Sequence, residues 1–95
     1  MGSTLLASGR PVRRRFVKQV RGTDHLDELG RVKDAELIKR GAAYCTQLAK
    51  TGSSLQAVFA LQLAGQTRPG DVYVTAAARR QLCPDLPDAD SHAPE

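Results

Sequence analysis

Cys45 and Cys83 are the residues of this 95-residue chain with the most chemistry to offer. They do not form a C-x-x-C pair, so thiol–disulfide exchange of the thioredoxin kind is not expected. With His25 and His92 they do not reproduce the spacing of a zinc site. Two readings of the cysteines fit the residues alone. One is a structural disulfide, worth about 4 kcal/mol in the chain-entropy picture for a loop of this length. The other is a pair of buried free thiols in a reducing compartment.

The other titratable residues suggest no reaction. His25 lies in a polar connector and His92 near the C-terminus, and neither has a nucleophile placed beside it by a recognisable spacing. Asp24, Asp27 and Glu28 read as solvated loop charges. Tyr44 reads as a residue at the edge of the core. There is no glycine-rich phosphate loop. The expectation is a non-enzymatic protein with no catalytic residues, no metal and no cofactor.

Arg10, Arg13, Arg14 and Arg15 form the dense charge cluster of the chain. Six of the 14 basic residues lie in residues 1–22 with no acid among them, leaving eight bases against 10 acids in the remainder. The net charge of +4 therefore belongs to an N-terminal arm rather than to the folded part. Such a cluster could contact a polyanion, with an affinity that falls steeply with salt. No aromatic residue is interleaved with the arginines to stack on bases, so a solvated arm is the preferred reading. Leu48 to Val58 has the outline of a helix-turn-helix around Gly52, but only Gln56 and Gln62 would reach base edges. Nucleic acid is not the expected partner, and a protein partner remains open.

The elements that must hold these residues follow from composition and periodicity. Apolar residues make up 41% and aromatics only 4%, with no Trp, so a core must come from Leu, Val, Ile and Ala. One small domain is all this length supports. The first 11 residues read as a disordered arm. Phe16, Val17 and Val20 share one face of a first helix over 12–21. Thr23 to Val32 is a polar connector in which Leu26 and Leu29 could form one helical turn. Asp34 is the expected N-cap of a second helix over 35–50, with Ile38, Ala42, Cys45 and Leu48/Ala49 as its buried stripe. Gly52 ends that helix and Ser53 or Ser54 caps a third, over 55–64. The third helix is apolar on most of its surface, so a central place is expected. Val74, Ala78 and Leu82 give a fourth helix over 71–82, closed by Cys83-Pro84. Residues 85–95 read as an acidic, disordered tail. Gly41 is expected at a close helix–helix approach.

The motifs Phe16-Val17-x-x-Val20-Arg21, Gly41-x-x-Tyr44-Cys45-x-x-Leu48, Gly52-Ser53 and Leu82-Cys83-Pro84 occur in a characteristic order. In this the chain, from Phe16 to Pro84, resembles the small helical domain of unknown function 732, a family of mycobacteria and related actinobacteria. The resemblance implies a Cys45–Cys83 disulfide, since members carry two cysteines with the second followed by Pro. It also implies an exported or lipoprotein module of the cell envelope, with no established activity. Arg79 and Arg80 depart from the more apolar last helix of that family.

The sequence at hand departs from it in export as well. Thr4-Leu5-Leu6-Ala7 is too short for the apolar region of a signal peptide, and the arginines follow rather than precede it. The location implied by the resemblance is extracytoplasmic, the alternative cytoplasmic. No stretch approaches the ~20 apolar residues of a membrane span. The expected fold is all-α: a small bundle of about four short helices over 12–84, stapled by one disulfide.

Overall fold

The computed structural model describes residues 9–89. It is all-α, with helices α1 (Arg10–Thr23), α2 (Asp34–Thr51), α3 (Ser54–Leu63) and α4 (Asp71–Ala77). A π-helical turn, Ala78–Leu82, continues α4 to the second cysteine. Among the described residues there is no strand. The Cys45–Cys83 disulfide is present, with the two Cα atoms 6.1 Å apart.

Helix α1 begins two residues earlier than its apolar face suggests. Pro11 occupies the first turn, where its missing N–H costs nothing and its fixed φ suits the helix. Arg10 and Pro11 therefore belong to α1 and not to a disordered arm. Phe16 and Val20 are fully buried, four residues apart, and Val17 is half-buried beside them.

The connector that follows holds no helical turn. Its order comes from polar side chains that satisfy backbone groups. The Asp24 carboxylate accepts the N–H of Glu28 at 2.8 Å and of Leu29 at 2.7 Å. The Arg21 guanidinium donates to the carbonyls of Leu29 at 3.0 Å and Val32 at 2.6 Å. Leu29 is thereby driven wholly into the core, while Leu26 stays exposed.

Helix α2 starts at Asp34 itself, with Lys33 at the cap position and no side-chain cap. The Asp34 carboxylate is engaged elsewhere, accepting from Arg21 Nη2 at 2.7 Å. Its placement in the first turn still suits the helix dipole. The buried stripe is Leu37, Gly41, Tyr44, Cys45 and Leu48. It is rotated from the expected one: Ile38 and Ala42 are half-buried and Ala49 is exposed. The expected stripe takes Ala42 and Ala49 as core and Tyr44 as its edge, with Gly41 set apart as a point of close helix–helix approach. Packing decided otherwise, because a large neighbour needs the space that glycine leaves.

That neighbour is Phe16. A Cβ at Gly41 would lie 2.7 Å from Phe16 Cζ and 2.8 Å from Leu82 Cδ1. Gly41 thus lets α1, α2 and the π turn meet at one point, as its position in α2 led us to expect. At the far end of α2, Gly52 adopts φ 71°, the left-handed conformation that closes the helix.

Helix α3 is not central. It packs against α2 alone among the helices. Only Ala57 and Leu61 are buried, whereas Leu55, Phe59 and Leu63 are exposed. An element that is apolar all round has no face that dictates its place. The two-residue Gly52–Ser53 connection decides instead, folding α3 back on α2 as a hairpin. Ser53 is the N-cap, its side chain accepting from Gln56 N at 3.2 Å. The bundle centre is filled by α4 and the π turn, through Val74, Ala77, Ala78 and Leu82.

The segment after Cys83 is docked as far as it is described, so a disordered tail does not start at Asp85. Leu86 packs against the core. Ala89 N donates to Gly52 O at 2.7 Å. Residues 1–8 and 90–95, the rest of the expected arm and tail, lie outside the described residues.

Candidate functional site

The disulfide sits at the junction of α2 with the π turn. Cys45 and Cys83 are 1% and 2% exposed, so solvent reductants have no direct access to either sulfur. Cys83 N donates to Ala78 O at 2.9 Å, the i to i−5 bond that defines the π turn. The Ala78 carbonyl oxygen also lies 3.5 Å from Cys83 Sγ and 3.9 Å from Cys45 Sγ. These are contacts and not hydrogen bonds, since a disulfide has no S–H. The widened turn lets the adjacent residues Leu82 and Cys83 both enter the core.

Beside the disulfide lies a polar cluster that joins three distant parts of the chain. The Asp88 carboxylate accepts from Ser54 N at 2.9 Å and from Ser54 Oγ at 2.7 Å. It also pairs with Arg79 Nε at 3.0 Å, on the π turn. Tyr44 Oη and Ser54 Oγ share a short hydrogen bond. The Asp88 side chain is 4% exposed, so these bonds form in a poorly solvated place. Sequence reasoning missed this cluster. Asp88 looked like one acid among several in a tail, and 34 residues separate it from Ser54. Tyr44 is fully buried, with its hydroxyl as the polar handle that burial demands.

The arginine cluster is helical. Arg10, Arg13, Arg14 and Arg15 are all exposed on α1, as is Lys18. Arg10, Arg14 and Lys18 recur every four residues and form one rail along the helix. Arg13 flanks the rail, next to Val17 and to Ile38 of α2, which floor a shallow groove. Arg15 lies off that line. None of these five cations forms an ion pair among the described residues. Arg21, one turn further on, is instead committed to the connector and Asp34.

The remaining candidates have structural roles or none. Asp24 binds backbone N–H groups, and His25 is exposed. His92 lies outside the described residues. Among the described residues no three His, Cys, Asp or Glu side chains gather as a metal site would require. A cleft between α2 and α4 has charges of both signs, among them Glu36, Arg40, Arg68 and Asp71. Its lining contains no histidine, cysteine or serine. Among the described residues no helix is long and apolar enough to cross a membrane. No family model, no curated protein and no solved structure matches this chain.

Proposed function

We propose that this chain is a non-enzymatic structural or partner-binding module that works in an oxidising compartment, exported or associated with the cell envelope, and is kin to the domain of unknown function 732. The carrying observation is the Cys45–Cys83 disulfide buried in the core. Reducing compartments keep such thiols reduced, so a core built around a disulfide suits a protein that matures outside them. The non-enzymatic part rests on the sequence, in which neither histidine has a nucleophile beside it at a recognisable spacing.

The test is made on protein taken from its native source. Free thiols are blocked before lysis, and intact mass is read with and without reductant in each cell fraction. A disulfide-bonded form in the extracytoplasmic fraction is expected. Two blocked thiols on a cytoplasmic protein would overturn the reading.

A second reading rests on the rail of Arg10, Arg14 and Lys18. It makes the chain a cytoplasmic basic protein that contacts the phosphates of nucleic acid. Because these residues belong to α1, deletion of everything before Phe16 would also damage the fold. Arg10→Gln, Arg14→Gln and Lys18→Gln combined is the cleaner variant. Under this reading the salt slope of DNA binding falls by roughly 0.9 for each phosphate contact removed. A slope that does not change would dismiss it.

A further inference from the structure

Helix α3 presents a side-chain pattern that reads the same in both directions. Its outward positions are Leu55, Gln56, Phe59, Gln62 and Leu63, all exposed. The two leucines stand four residues on either side of Phe59, and the two glutamines three on either side. Leu55 is 71%, Phe59 54% and Leu63 74% exposed. From Thr51 to Thr67 the chain has no charged residue. We propose that α3 is a self-association surface, on which a second copy of this chain docks antiparallel about a two-fold axis through Phe59.

The pattern is what a two-fold contact requires. In an isologous interface residue i meets residue j while j meets i. An antiparallel pair of α3 helices centred on Phe59 sets Leu55 in one layer with the partner's Leu63 and brings each glutamine to the same flank as its own counterpart, Gln56 beside the partner's Gln56 and Gln62 beside the partner's Gln62. The amides carry matching donors and acceptors for each other. The missing charge points the same way. A charged partner would find nothing on α3 to pair with, and a membrane-surface helix would carry Lys or Arg along the border of its apolar stripe. Two neutral copies meet without desolvating any ion.

The chain's own C-terminal residues are a poorer occupant. Residues 90–95, Asp-Ser-His-Ala-Pro-Glu, contain no large apolar side chain to set on Leu63 or Phe59. The size of the stripe sets the strength of the contact. Three such side chains amount to a patch of about 300–400 Å², roughly half of the ~800 Å² per partner in a standard stable interface. The dimer is therefore weak and concentration-dependent. The proposal does not depend on the compartment in which the protein works.

The experiment is sedimentation equilibrium of the full, oxidised chain from about 10 μM to 1 mM, the range where so small an interface associates. The mass is expected to rise from 10.2 kDa towards twice that value. Phe59→Asp sets two like charges at the axis and should hold the protein monomeric with its thermal transition unchanged. Should that variant not fold, Leu63→Glu serves the same purpose. Gln56→Glu combined with Gln62→Lys tests the orientation. Antiparallel pairing sets like charges side by side on each flank, so association should weaken several-fold. Tighter association in that variant would overturn the antiparallel arrangement. A monomer at every concentration, or a dimer indifferent to both Phe59→Asp and Leu63→Glu, would overturn the proposal. So would a dimer formed only after removal of residues 90–95, since those residues would then be the resident occupant.

Discussion

Ser54 and Asp88 are bound to each other twice: backbone N–H and hydroxyl of the first residue of α3 both donate to one carboxylate, at 2.9 and 2.7 Å. The pair ties the segment after the disulfide to the α2–α3 turn. Asp88→Ala leaves Ser54 and Arg79 without this acceptor. Hydrogen bonds to a charged group are worth about 1.5–3 kcal/mol, and a loss in that range is expected in urea unfolding. A double-mutant cycle with Ser54→Ala should give a coupling of about 0.5–3 kcal/mol. Strict additivity would show that the two residues act separately.

Cys45→Ala and Cys83→Ala should cost about the same, because each breaks the same bond. The chain-entropy estimate for a loop of 38 residues is about 4 kcal/mol. The double variant should be no worse than either single one. Reductant should lower the thermal midpoint of the parent and leave all three variants unmoved.

Gly41→Ala and Gly22→Ala should change stability in opposite directions. Both lie in helices, where alanine is intrinsically favoured by about 1 kcal/mol. A Cβ at Gly22 meets nothing within 4 Å, so that gain should appear. At Gly41 it would lie 2.7 Å from Phe16 Cζ, and overpacking of this kind costs about 1–3 kcal/mol. Thermal midpoints of the two variants decide the matter. Stabilisation by Gly41→Ala would show that α1 can move aside.

Leu29→Ala should be as damaging as a core substitution in a helix, although Leu29 belongs to a connector. It is fully buried, and the expected loss is about 2–5 kcal/mol. Leu26→Ala, at an exposed site three residues earlier, should fall within about 0.5 kcal/mol of the parent. Gly70→Ala should also destabilise. Gly70 has φ 85°, and an added Cβ would come 2.7 Å from Leu29 Cγ.

The two cations kept apart by one turn of α1 show how far sequence reading reaches. Lys18 and Arg21 both read as members of a basic N-terminal segment. Periodicity does place both on a helix beside Phe16 and Val20. It does not tell that Arg21 reaches the carbonyls of Leu29 and Val32 while Lys18 has no ion-pair partner among the described residues. That difference comes from a connector whose path follows from no local pattern. The Ser54–Asp88 cluster was hidden for the same reason, since its members are near only after the chain has folded.

What the sequence by itself determined is the set of helices, their stops at Gly52 and Cys83-Pro84, a serine cap at Ser53 or Ser54, and the close approach at Gly41. Each follows from φ preferences, capping chemistry and 3.6-residue periodicity, which act over a few neighbouring residues. Tertiary structure alone decided that α3 lies outside, that Leu29 lies inside, and that the fourth helix widens to a π turn before Cys83. It also decided which residue of each apolar pair faces the core. Those outcomes depend on which large side chain claims a shared space, and Phe16 at Gly41 and Leu29 at Gly70 claim theirs across many residues of intervening chain.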